Sequence, residues 1–254
     1  MILQINTIFV SYAIQLEALD LYNQSIKRII AYQMYYIIFL KILFMSDMMK
    51  KLIVFEGNEG TGKSTHIKLL SQYLSERNIK HYITREPGGS EYGEIIREMV
   101  LDKNSNLDAL SDALLLYSSR FYNFNNILIK KILSGEFVIT DRFHYSTLVY
   151  QGYVQNCKEV IKLHEVLDSY FCNYIAKIFY FRTTVNTSSN RISKRTSSDK
   201  FEIQGKDFLS KIDNAYNKVF KNNNDVVEIV TDGEKNIAQN KIRDCIDKII
   251  NAAG

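Results

Sequence analysis

The 254-residue chain contains no tryptophan, one proline and three cysteines. Cys157, Cys172 and Cys245 are odd in number and far apart, which excludes a disulfide framework or a close-paired thiolate site and points to a reducing, cytoplasmic setting. The four histidines, His66, His81, His144 and His164, show no ligand spacing, so they are expected on the surface or in packing and no metal is assigned to them. A dominant charge of one sign is also missing: the formal net charge is +4, and the basic residues are spread along the chain. That distribution gives no footprint for bulk nucleic-acid binding. With no internal repeat and no low-complexity linker, the length suits one α/β domain plus trimmings better than two domains.

A membrane-spanning segment is missing by a narrow margin. Residues 29–45, IIAYQMYYIIFLKILFM, form an apolar run with Lys27 and Arg28 before it and Lys41 inside it. The run falls short of a spanning helix, no small-residue cleavage site follows, and an interior lysine costs about 2.5 to 3.5 kcal/mol near a bilayer centre. Three readings of residues 1–48 stay open: an extension ahead of the working start, a packed amphipathic helix, or a membrane association, against which length and charge weigh. Met45, Met48 and Met49 stand directly before KKLIVFEG, where an enzyme-like pattern begins, so the domain is taken as residues 49–254.

From residue 51 onward, short β-branched runs alternate with amphipathic stretches, the pattern of a parallel sheet with helices on both faces. Strands are expected at Lys51–Glu56, His81–Thr84, Phe137–Thr140, Ala176–Phe181 and Val226–Val230. Apolar residues at three- and four-residue intervals predict helices at Lys63–Glu76, Ala109–Leu133, Lys158–Phe171, Asp207–Phe220 and Ile237–Ile250, with another beginning near Glu91.

The strand LIVFE runs directly into Gly57-Asn58-Glu59-Gly60-Thr61-Gly62-Lys63-Ser64-Thr65, which fits the Walker pattern of a phosphate-binding loop. Gly57, Gly60 and Gly62 let backbone amides turn inward around phosphate oxygens, the following helix adds its N-terminal dipole, and Lys63 is placed to bridge the β- and γ-phosphates of ATP. Ser64 is then a ligand for Mg²⁺. A phosphate loop alone does not choose among ATPases, GTPases and kinases. A guanine-reading Asn-Lys-x-Asp is lacking, because Asn217-Lys218 is followed by Val219 and Phe220. The strand FVIT ends in Asp141-Arg142, an acid beside a forked cation, which suits a second phosphorylated substrate. Arg85, in Thr84-Arg85-Glu86-Pro87-Gly88-Gly89, stands at a rigid turn from which a guanidinium can fork onto a monophosphate.

Taken together, FEGNEGTGKST, TREPGG, LLLYSSR, DRFHYSTLVYQG and RISKRTSSDKFE resemble the thymidylate kinase family, the bacterial type in particular, over nearly everything from residue 51 to the C-terminus. The resemblance implies a three-layer P-loop fold on a five-stranded parallel sheet, transfer of the γ-phosphoryl of ATP to dTMP, and a homodimer. It implies that Glu59 lies near the acceptor sugar and organises a neighbouring arginine, that Arg85 grips the acceptor phosphate, and that Arg142 sits beside the phosphoryl path. Asp141 is implied to fix Arg142 or Mg²⁺, Arg120 to reach the base carbonyl, Thr147 to meet the base edge, and Tyr150 to pack on the deoxyribose. Gln151 follows in the same motif as a substrate-side residue.

The resemblance further marks residues 185–202 as a lid whose Arg191 and Arg195 close over ATP, with Gly60 standing where another subtype carries a P-loop arginine. Two positions depart from the family. Leu116 replaces an aromatic that stacks on thymine, an interaction worth about 1 to 3 kcal/mol per base. Lys200 in Asp199-Lys200-Phe201-Glu202 replaces an arginine, and a lysine cannot fork. A kinase for another nucleoside monophosphate and a non-catalytic nucleotide-binding module remain as alternatives.

Overall fold

The computed structural model describes residues 49–194, 200–201 and 204–253. The extension and Arg195 lie outside the described residues. Five strands, β1 (Leu52–Gly57), β2 (His81–Arg85), β3 (Phe137–Asp141), β4 (Ile175–Arg182) and β5 (Val226–Val230), form one parallel sheet in the order β2-β3-β1-β4-β5. Each falls within two residues of its expected place. Parallel pairing needs crossover connections, and the helices that supply them cover both faces.

Side-chain alternation along β1 divides the core. Leu52 and Val54 point to one face, where they pack with Val138, Ile178, Tyr180, Phe124 and Tyr216, whereas Ile53 and Phe55 point to the other, against Ile67, Leu70, Ile139, Phe179 and Ile242. The second face is covered by α1 (Lys63–Glu76) and α9 (Lys235–Ala253). The first face carries α3 (Ala109–Asn123), which passes through a wider π-type turn at Phe124–Leu128 into α4 (Ile129–Leu133), so the long expected helix exists with a local widening. Also on this side are α6 (Lys158–Phe171) and α8 (Gly205–Phe220). Between β2 and α3 lies α2 (Glu91–Leu101), capped by Ser90 accepting from the Gly93 N–H.

Among the described residues, the helices after β3 and after β4 were not foreseen. After β3 the chain forms α5 (His144–Thr147), which widens into another π-type turn at Leu148–Val154. The aromatic and β-branched run YSTLVY shows no clean helical period, and Tyr145, Leu148, Val149 and Tyr150 are all buried, so packing around the segment decides its conformation. The segment expected to form a lid opens with α7 (Val185–Ile192), whose Thr184 caps it by accepting from the Thr187 N–H.

Candidate active site

The Walker loop joins β1 to α1 at the carboxyl end of the central strand. Gly57 has φ +134°, and a Cβ there would lie 2.3 Å from the Phe181 carbonyl oxygen of β4. Only glycine permits this approach of two backbones. Lys63 is buried, and its ammonium donates to the carbonyls of Gly57 at 3.0 Å and Asn58 at 2.9 Å. Burial first, then the nearby Arg142 charge, pulls the Lys63 pKa down against the opposing pull of Asp141, Glu59 and Glu56. Asn58 holds the loop from beneath, donating to the Leu209 carbonyl at 2.7 Å and accepting from the Glu59 N–H.

Arg142 projects from the turn after β3 with φ +70°, a left-handed conformation that a non-glycine residue adopts at a cost of order 1–3 kcal/mol. Both terminal nitrogens of its guanidinium are engaged: one donates to the Gly57 carbonyl at 2.8 Å, Ser146 Oγ at 3.1 Å and Tyr216 OH at 3.2 Å, and the other pairs with Glu59 and donates to Tyr150 OH at 3.2 Å. Burial alone would lower its pKa, but the surrounding Glu59, Tyr150, Tyr216 and Glu56, foremost the Glu59 carboxylate, hold it well above the ordinary value, so the cation persists. Ser64 Oγ donates to Asp141 Oδ2 at 2.9 Å, which brings together the two residues expected to serve a metal.

Across the cleft, Arg85 pairs with Glu94 at 2.7 Å, and the other oxygen of Glu94 accepts from the Gly89 N–H. Arg120 is buried: its Nε donates to Glu86 Oε2 at 2.6 Å, one terminal nitrogen donates to Thr147 Oγ1 at 3.0 Å, and the other, Nη1, has no hydrogen-bond partner. Removing one member of such a buried pair costs of order 3–5 kcal/mol, because the other charge is left uncompensated. Leu116 lies one turn before Arg120 on the same face of α3 and lines the cleft, whereas Tyr117 turns into the core, its OH 3.3 Å from His164 Nδ1.

A cleft of about 490 Å³ is lined by residues 59–65, Arg85, Leu116, Arg120, Asp141, Arg142, Thr147, Tyr150, Gln151 and Arg191. Of the expected site residues among those described, Gly57 and Asn58 alone do not line it; they sit below, tied to Lys63 and Arg142 through their carbonyls. Arg191 bonds the Gly60 carbonyl at 3.0 Å and the Thr231 carbonyl at 3.0 Å, which fixes it against the phosphate loop. Lys200 behaves differently from a lid cation aimed at phosphate: it pairs at 2.7 Å with buried Asp112, one turn before Leu116 on α3.

Several residues escaped the sequence reading. Glu56, fully buried, accepts from the Phe143 and Ser146 N–H groups, Ser146 Oγ and Tyr216 OH, and so ties β1 to α5 and α8 directly behind Arg142. A charged residue closing an apolar strand was its only signal. Arg97 adds a further cation to the cleft while donating to the Pro87 carbonyl at 2.7 Å, and Phe201 lines it with its ring edge-on to Tyr150 at 5.2 Å. Neither stands in a pattern that spacing alone would pick out.

A glycine-built cradle for one phosphate chain, facing arginines placed for a second phosphorylated ligand, defines a P-loop kinase that holds donor and acceptor in one cleft. Comparison with known proteins narrows the class. The thymidylate kinase family profile matches residues 55–242. The chain is 35% identical over 207 residues to the thymidylate kinase of Caldicellulosiruptor saccharolyticus, covering 80% of this chain and 98% of that protein. It is 32% identical over 214 residues to that of Legionella pneumophila, covering 81% and 98%. Among solved structures, thymidylate kinase from Ehrlichia chaffeensis superposes with a TM-score of 0.59 at 27% identity, covering 78% of this chain and 98% of that one. The chain belongs to the thymidylate kinase family, and its activity is the phosphorylation of dTMP to dTDP.

Proposed function

We propose that the γ-phosphoryl of ATP passes to dTMP within this cleft, with Lys63 and Arg142 stabilising charge on the transferring group and Arg85 holding the acceptor phosphate. The observation that carries this assignment is the shared carbonyl of Gly57, which Lys63 approaches to 3.0 Å and Arg142 to 2.8 Å, so that both cations bracket one point. The attacking group is an ionised phosphate oxygen, so no general base is needed, and catalysis is positioning plus charge stabilisation. Glu59 orients Arg142, Tyr150 packs beside the sugar, and Thr147, Gln151 and Arg120 meet the base. Ser64 and Asp141 offer the hard oxygen donors that suit Mg²⁺, which when bound would screen the phosphate charges. Arg191, and Arg195 from the lid, serve the ATP side in the manner of the bacterial type.

An oligomer is part of the same reading. On α2, Tyr92, Ile95 and Met99 are exposed at three- and four-residue spacing, the Tyr92 ring meets Tyr122 of α3 at 5.4 Å, and Leu114 of α3 is exposed as well. Such apolar exposure favours a homodimer. No helix among the described residues is long and apolar enough to cross a membrane, and the diffusible nucleotide substrates suit work in the cytoplasm. The assay that tests the base assignment compares dTMP with dUMP in acceptor-dependent ADP release. One methyl group is worth about 1–3 kcal/mol, so dTMP is expected to win by roughly 10- to 100-fold in kcat/KM. Equal turnover removes thymine as the selected base.

A further inference from the structure

The acceptor side contains a cluster of buried polar atoms that the phosphoryl-transfer roles do not use. Glu86 Oε1, Arg120 Nη1, Thr84 Oγ1 and both side-chain polar atoms of Asn123 have no hydrogen-bond partner, although all four residues are buried. Glu86 and Arg120 both line the cleft. The space between the others is tight, since a Cβ on Gly89 would lie 2.3 Å from Thr84 Oγ1 and 3.0 Å from Asn123 Nδ2. Buried polar atoms are nearly always paired, so a set of unpaired ones bordering a ligand cleft marks groups held ready for a ligand or ordered water.

We propose that Glu86 is a positioning residue for base recognition: its carboxylate sets the rotation of the Arg120 guanidinium, so that Nη1 is the donor left to meet a keto oxygen of the acceptor base. This deepens the reading above and rests on Arg120 as the base contact. The geometry leaves little freedom. Arg120 Nε is committed to Glu86 Oε2 at 2.6 Å, Nη2 is committed to Thr147 Oγ1 at 3.0 Å and borders the Phe143 carbonyl at 3.4 Å, and the plane of the guanidinium is thereby fixed. A planar fork held at two of its nitrogens points the third in one direction only. The rings of Tyr117 and Phe143, 4.8 and 5.6 Å from the guanidinium carbon, support it from the core.

The pairing matters more in this chain because Leu116 supplies no aromatic stack. Base selection then falls on hydrogen bonds, and a donor at Nη1 accepts a keto base and rejects an amino base such as cytosine, which would present a donor to a donor. Burial pushes the Glu86 pKa up to about 7, with Arg120 pulling it back down and Glu56 adding to the rise.

The test is calorimetric binding of dTMP and, separately, of ATP to wild type, Glu86→Gln and Glu86→Asp at pH 8. Glu86→Gln is expected to weaken dTMP binding by about tenfold or more at pH 8 while leaving ATP binding within about twofold, and Glu86→Asp is expected to recover part of the loss. Thermal melts establish that each variant is folded, and if the Gln variant is not, the Asp variant carries the comparison. Unchanged dTMP affinity, or equal weakening of both ligands, overturns the role of Glu86. Loss of the kinase reading shows differently, as wild-type protein that releases no ADP in response to dTMP.

Discussion

The two halves of the cleft are built by different means. The phosphate cradle is one continuous loop, residues 57–65, whose shape comes from backbone carbonyls, amides and glycines at positive φ. The proposed acceptor pocket is assembled from side chains on β2, α3, α5 and the turn after β3, and is held by pairs far apart in sequence, such as Arg120 with Glu86 at a separation of 34 residues. A loop that carries its own geometry is robust to what surrounds it. A pocket assembled from side chains is tunable, because each wall can change separately.

Substitutions can break that contrast or sharpen it. The largest effect is expected in the cradle: Lys63→Ala removes the charge over the transferring group and should lower kcat about 10³-fold at saturating ATP and dTMP, with thermal stability little changed. Steady-state ADP release checks this, and a kcat within tenfold of wild type would make the cradle far less dependent on its cation than described. Next comes the acceptor phosphate. Arg85→Ala should raise the KM for dTMP by one to two orders of magnitude, roughly 10- to 100-fold, and leave that for ATP within about twofold. Parallel rises in both constants would show that the two halves are not separable. The smallest effect is a gain: Leu116→Phe adds a stacking face in a pocket that has none at that position, and dTMP affinity should improve several-fold, within the roughly 1–3 kcal/mol that stacking contributes. An unchanged or weaker dissociation constant in a titration would mean that another wall, such as Phe201, already occupies the space.

The same contrast explains what the sequence made legible. The helices Lys63–Glu76 and Lys158–Phe171 fall at the expected residues because their apolar periodicity and their burial agree. The cradle was readable because local chain geometry and function coincide in one short pattern. Glu56 was not, since its partners Phe143, Ser146 and Tyr216 come together only after β1, α5 and α8 have packed. Nor was the pairing of Lys200 with Asp112, because a lysine near a run of serines has no sequence signal for a partner 88 residues away. The helix and wide turn at 144–154 lacked periodicity for a related reason: it is buried on several sides, so no polar stripe marks a face.

Asp112, Leu116 and Arg120 recur every four residues along α3, and this spacing turns pocket composition into a matter of rotational phase. Each residue added between Leu116 and Arg120 would swing everything beyond it by about 100° around the helix axis, carrying the guanidinium out of the cleft while leaving the helix itself intact. Side chains on this face can therefore drift by single replacements, but an insertion or deletion there disconnects the proposed base reading from the rest of the enzyme in one step. Length, more than identity, is the quantity that α3 must keep.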